Sequence, residues 1–231
     1  MKHRPAEHRT DEIPSLSLPQ FEQRLASRVP TLSGDAIERL HRHYEELRTW
    51  NERLGLIGPG TFATIVERHY GESLAALPWL DRRPGARSLL DVGSGAGFPG
   101  IVLAICRPAL RVTLLESTER KAAFLRRSAR AAGADVSVLA GFLRDALPAG
   151  APETLDFVTL RAVKLAPAGW HALRARLAPD GLLLQWSGPA MPAPEGFQEV
   201  GPAVPLAGGD RRSIRAWSAA SGERKRAQGP P

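Results

Sequence analysis

The 231-residue chain has a single cysteine, Cys106, so it can close no internal disulfide and build no cysteine-based zinc cluster. This suits a reducing compartment, and the thiol reads as a small buried hydrophobe rather than a nucleophile. No apolar run approaches the ~20 residues of a membrane span, and the opening MKHRPAEHRTDE lacks the apolar stretch of a secretory signal. A cytoplasmic protein without membrane contact is expected. Lysine is also scarce. Most of the 31 basic residues are arginine, set against 24 acids for a formal charge of +7. That balance draws polyanions, nucleic acid first among them. His41, His43 and His69 fall in helical stretches without partners at metal-ligand spacing, so they are expected at the surface or at caps, and no metal is expected.

The length suits one substantial α/β domain with a small appendage. Residues 1–14 and 221–231 are charged, contain proline and lack an apolar period, which predicts flexible basic ends. Residues 15–84 read as a helical extension. Ser17 and Gln20 form a capping-box pattern, Ile37, Leu40, Tyr44, Leu47, Trp50 and Leu54 recur at helical spacing, and FATIVERHYGESLAALPWL continues the pattern to Trp79. Over residues 85–220 the pattern changes. SLLDV, VTLLE, VSVLA, LDFVTL and GLLLQW are strand-like runs separated by the helical stretches RKAAFLRRSARAAG and PAGWHALRARLAPDG. Such alternation predicts a mainly parallel sheet with helices on both faces and a ligand site beyond the carboxyl ends of its strands. FQEVGPAVPL and RRSIRAWSA would close it antiparallel.

The stretch LLDVGSGAGFPG then leaves the strand SLLDV at that ligand edge. Gly93, Gly95 and Gly97 allow positive φ and close approach of a ligand to backbone, and Pro99 marks the start of the next helix. No Lys-Ser/Thr follows the last glycine, which argues against a nucleotide triphosphate loop. Gly95 to Gly100 does spell the dinucleotide fingerprint, with Glu116 positioned for a ribose. Asp91, two residues before the first glycine, would repel a pyrophosphate and favour a ligand with a sulfonium and an ammonium. The combination suits S-adenosyl-L-methionine. Asp91 would orient its methionine end, Phe98 would shield an apolar side, and the Glu116 carboxylate would accept from both ribose hydroxyls.

DVGSGAGFPGIVLAI closely resembles the glucose-inhibited division protein B family, the bacterial 16S ribosomal RNA guanine-N7 methyltransferases, whose FPGI ending is a hallmark. YEELRTWNERLGL resembles the family's W-N-x-x-x-N-L, VERHYGESL its H-x-x-D-S-L, LLESTERKAAFLR its L-L-D-S-x-x-K-R-x-x-F-L, and LRAVKLAP its S-R-A segment, so the likeness runs from about residue 40 to 190. A weaker echo follows in GDRRSIRAW. The resemblance implies a Rossmann-like class I S-adenosylmethionine-dependent methyltransferase fold, with cofactor positions at Gly93, Phe98, Arg161, and the pair Leu143 and Arg144. The chain departs from the family at Arg144, where an acid is usual, and Asp145 stands one step later. Further departures are Gly55, Gly58, Glu72 in place of aspartate, and Lys164 after Arg161-Ala162-Val163.

Guanine N7 is itself a nucleophilic lone pair, so the implied reaction needs positioning rather than a general base. N7 lies out of reach in an A-form helix, which implies an unstacked guanine. Arg161 is the candidate for orientation, through the methionine carboxylate or a nucleotide phosphate. Arg82, Arg83, Arg120, Lys121, Lys164, Arg211 and Arg212 are candidates for RNA contact, while Arg126, Arg127 and Arg130 read as a solvated face. The expected partner is 16S ribosomal RNA or the small ribosomal subunit, met by a monomer. Small-molecule methylation and a non-catalytic RNA-binding relative remain alternatives.

Overall fold

The computed structural model describes residues 12–26, 32–188, 192–206 and 212–220. The two expected tails lie almost wholly outside them, as does Arg211, although Ile13, near the end of the first, is buried in the helical layer.

Helix α1, Leu18–Ala26, starts at the foreseen capping box: the Ser17 backbone N–H donates to Gln20 Oε1 at 2.9 Å. Helix α2, Gly34–Leu54, is capped by the Ser33 hydroxyl and stops at Gly55, whose φ of 57° provides the left-handed exit. Its apolar stripe buries Leu40, Tyr44 and Leu47.

The third helical segment is not one helix. A 3-10 turn over Pro59–Thr64 and a π-helical turn over Val66–Gly71 lead into the short helices α3, Glu72–Leu74, and α4, Leu77–Asp81. Pro78 has no N–H to give and its ring would meet a carbonyl one turn back, so the helix must restart around it. The wide π turn brings both His69 and Tyr70 against Phe98, at ring-centroid distances of 5.0 and 4.9 Å.

Strands β1 Ser88–Val92, β2 Arg111–Glu116, β3 Val136–Ala140, β4 Leu155–Arg161, β5 Leu177–Ser187, β6 Phe197–Glu199, β7 Val204–Pro205 and β8 Ser213–Ala219 form one sheet in the order β3-β2-β1-β4-β5-β8-β6, with β7 also on β8. The first five pair in parallel, and β8 closes antiparallel on β5, Leu184 opposite Ala216. The intervening helices are α5 Gly100–Cys106, α6 Glu119–Ala131 and α7 Pro167–Arg176. Strand β5 begins four residues earlier than GLLLQW suggests. Pro179 cannot continue α7 and pushes Ala178 to extended backbone, so the chain pairs Leu155 with Leu177 and then shifts register to Phe157 with Leu182.

Side chains alternate across the sheet and divide the core in two. Leu89, Val112, Leu114, Phe157 and Leu184 face the larger layer of α1, α2, α5 and α6, whereas Leu90, Leu115, Val158, Leu160 and Leu183 face α7. Asp91, Glu116, Thr159 and Arg161 have the parity of the first set. They therefore point toward the helical extension at the carboxyl end of the sheet.

Candidate active site

Strand β1 ends at Val92, and the chain turns at once through Gly93, Gly95 and Gly97, with φ of 71°, 53° and 90°. All three lie where side-chain-bearing residues are strained. A Cβ on Gly93 would come within 2.4 Å of Val163 Cγ2, and one on Gly97 within 2.7 Å of Ile101 Cδ1. A Cβ on Gly95 would meet only the Gly93 carbonyl, at 3.8 Å, so this glycine faces open space. Pro99 stands immediately before α5, at its N-cap.

Two carboxylates hold the turn. Glu116 Oε2 accepts from the Gly95 N–H at 2.9 Å, while Oε1 accepts from the Thr118 N–H at 2.8 Å. Asp91 Oδ2 accepts from the Gly100 N–H at 3.2 Å, and Oδ1 from the Thr159 hydroxyl at 2.7 Å. Asp91 is buried, and desolvation raises its pKa to about 6 against those hydrogen bonds. Both carboxylates thus stand at the expected edge and engage the turn's own backbone.

Beyond the strand ends lies a cleft of about 350 Å³ lined by Gly93, Ser117, Leu143, Val163 and Lys164 among others. Ala162, in its wall, takes a left-handed φ of 57°, unusual for a residue with a side chain. Leu143 faces this cleft. Arg144 is exposed, its guanidinium 5.8 Å from the Phe142 ring, and Asp145 is exposed beside it.

Phe98 is buried in an aromatic cluster that the sequence did not announce. The His43 ring meets Phe98 edge-on at 5.3 Å, and His43 is completely buried rather than at the surface. Its Nε2 lies 3.0 Å from the Ala96 carbonyl oxygen and its Nδ1 2.8 Å from the Tyr70 hydroxyl. A carbonyl can only accept, so Nε2 carries the proton and Nδ1 receives that of Tyr70. Burial holds this imidazole neutral, lowering its pKa to about 4, and with help from Arg161 lowers that of half-buried His69 to about 3. The spacing Leu40, His43, Leu47 places His43 on the apolar stripe of α2, which was the available signal.

Arg161 ends β4 and is spoken for within the protein. It donates to Glu72 Oε2 at 2.9 Å and to the Arg68 carbonyl at 3.0 Å, and its guanidinium lies 5.9 Å from the Phe98 ring. Arg212 pairs with the other oxygen of buried Glu72, and the Trp186 indole donates to the Glu72 carbonyl at 2.9 Å. Arg83 lies at the other end of the sheet: it pairs with Asp180 and reaches the Asp156 carbonyl where β4 begins. With Arg82, it is thus removed from the glycine turn, because a basic residue in sequence carries no sign of which end of a sheet it will occupy. Arg126 and Arg127 pair with Glu119 and Glu46, and Arg130 is exposed.

The strand order, the glycine turn at the end of β1 and the carboxylate ending β2 define a class I methyltransferase fold. Solved structures agree: a variant of MtNAS crystallised with S-adenosylmethionine superposes with a TM-score of 0.55 at 17% identity, over 87% of this chain and 77% of that one. TrmN from Thermus thermophilus gives 0.52 at 21% identity, over 65% and 49%. Residues 36–189 match the family described as rRNA small subunit methyltransferase G, and the chain belongs to that family. Its relatives named ribosomal RNA small subunit methyltransferase G include one from Gluconobacter oxydans, 36% identical over 71% of this chain and 73% of its own. Another, from Anaeromyxobacter, is 39% identical over 71% and 75%.

Proposed function

We propose that the chain transfers the methyl group of S-adenosyl-L-methionine to N7 of a guanine in 16S ribosomal RNA. The observation that carries this reading is the glycine turn held between Asp91 and Glu116 in a chain of the rRNA small subunit methyltransferase G family. The donor set fits the cofactor. Two carboxylates at the turn oppose a pyrophosphate and favour a cation, and Gly95 leaves the space a side chain would fill. When bound, the cofactor supplies an electrophilic methyl group on a sulfonium.

Glu116 would accept ribose hydroxyls: Oε2 has one protein donor, and the Ser117 hydroxyl, 3.3 Å from Oε1, can turn away. Asp91 would act through the turn, fixing the first N–H of α5 and, once ionised, making the potential there negative. Gly93, Gly95 and Gly97 let backbone approach the ligand, and Leu143 offers an apolar contact in the cleft beside Gly93. Arg144 and Asp145 stand at the rim, where either could meet the adenine. Phe98 would wall off the apolar side, held by Arg161, which serves here as a positioning residue. No group need remove a proton, because N7 attacks through its lone pair. Asp91 and Glu116, on the donor side, would serve cofactor binding and orientation, and only groups facing the purine would favour the positive charge that develops there.

Purified protein given labelled cofactor and 16S ribosomal RNA should label the RNA, and borohydride and aniline cleavage should map the label to a guanine N7. Label confined to small molecules would refute the reading.

A further inference from the structure

The end of α2 and the first turns of α6 enclose a groove of about 310 Å³, lined by Trp50, Arg53, Leu54, Arg120, Phe124 and Arg127, together with Ala123. Its floor is carbon. Trp50 is half-buried, Phe124 is 3% exposed, and the rest is aliphatic, whereas Arg53, Arg120 and Arg127 are exposed at the rim. The three cations differ in what they face. Arg127 is neutralised by Glu46, with N···O 2.6 Å, and lies 5.2 Å from the Trp50 ring centroid. Arg53 also lies over Trp50, at 5.7 Å, and Arg120 donates to the Arg53 carbonyl at 3.3 Å. Among the described residues no carboxylate is within ion-pair distance of Arg53 or Arg120. Two guanidiniums without a carboxylate partner among the described residues thus stand at the lip of an apolar groove.

The groove is linked to the glycine turn through the protein interior. Phe124, in its floor, contacts His43 at 6.5 Å between ring centroids, and His43 holds the Ala96 carbonyl of the glycine turn. Arg120 lies four residues after Glu116. An apolar groove with cations on its lip matches an unstacked nucleobase and its flanking phosphates, since bases stack on aromatic and guanidinium planes while arginine grips phosphate. We propose that this groove docks a single-stranded segment of the RNA substrate, taking one base against half-buried Trp50 and the guanidinium planes beside it, and the adjoining phosphates on Arg53 and Arg120. It rests on the reading that the substrate is RNA.

The test compares wild type with Arg53→Glu/Arg120→Glu and with the milder Arg53→Gln/Arg120→Gln, using a 16S ribosomal RNA transcript, unmethylated small ribosomal subunits and S-adenosylmethionine as three separate ligands. Both residues are exposed, and circular dichroism checks the fold. The charge-reversed pair should bind the transcript on the order of tenfold more weakly. The salt slope of binding for the Gln pair should fall by about 0.7 for each single-strand phosphate that is no longer neutralised. Cofactor affinity should be unchanged, and transcript carrying 4-thiouridine should crosslink to wild type within residues 50–54 or 120–127. Wild-type affinity and slope in both variants would overturn the groove while leaving rRNA methylation standing. Loss of binding to subunits but not to transcript would mean a protein contact and would also overturn it. A wild type that binds no RNA at all would overturn the groove and the functional reading together.

Discussion

His43 Nε2 donates to the carbonyl oxygen of Ala96 across 3.0 Å, so a helix outside the sheet grips the turn inside it. The same ring receives the Tyr70 hydroxyl, and all three groups are buried. Removing the imidazole strands two polar groups, each worth roughly 1–3 kcal/mol when left unsatisfied. His43→Ala should therefore lose about 2 kcal/mol or more in urea denaturation and weaken cofactor binding in calorimetry. Gln at this position can still place an amide N–H near Ala96, and should recover most of the cofactor affinity. Equal affinities for wild type and His43→Ala would show that the turn needs no such support.

Acid should destabilise the fold through the same cluster. His43 and His69 have pKa values lowered to about 4 and about 3, below the ordinary 6.5, so their contribution is present above 6.5 and is lost as pH falls through the lowered values. Asp91, raised to about 6, works in the opposite sense: its contribution is present below 3.8 and is lost as pH rises through 6. Between pH 4 and 6 the unfolded chain holds two extra histidine protons and the native chain one extra carboxyl proton. One net proton remains, so stability should rise with pH by roughly 1.4 kcal/mol per unit in that window. His43→Gln should flatten the slope toward zero, which urea midpoints at several pH values can read.

The three turn glycines should respond differently to alanine. At Gly95 the added methyl meets open space, so the cost is the left-handed φ alone, roughly 1–2 kcal/mol. At Gly93 the methyl also collides with Val163, and thermal denaturation should register a larger loss. Gly95→Arg should abolish methylation and retain the circular dichroism spectrum of the folded chain. Turnover in that variant would contradict the assignment of the turn to the cofactor.

Glu72 is 3% exposed and faces both Arg161 and Arg212. Glu72→Gln takes away the carboxylate that faces Arg161 inside the fold, a change of the kind that costs roughly 3–5 kcal/mol when a buried pair is broken. The midpoint of urea unfolding should drop sharply. A shift of a few tenths would indicate that water replaces the carboxylate.

The sheet was legible because SLLDV, VTLLE and LDFVTL are short apolar runs cut off by turns, too brief for helices and apolar on both faces, as buried parallel strands must be. Asp91, the glycines and Glu116 could be placed from that frame, since they stand at strand ends. What side chains touch once folded was less accessible. Arg161 reads from sequence as a ligand-facing residue, and its pairing with Glu72, 89 residues away, has no signal in the sequence. His43 was hidden by its polarity, although its spacing from Leu40 and Leu47 marked it as interior. The π turn at Val66–Gly71 keeps a nearly helical apolar rhythm, so no count of periods would separate it from an ordinary helix.

Glu72 belongs by chain position to the helical extension, yet its carbonyl receives the Trp186 indole and its side chain answers cations from β4 and from Arg212 beside β8. The boundary near residue 84 is therefore one of sequence rhythm rather than of mechanical independence. A shortened gene starting there would encode a sheet that had lost its clasp, and a chimaera joining this extension to a foreign sheet would need both arginines and the tryptophan to travel with it.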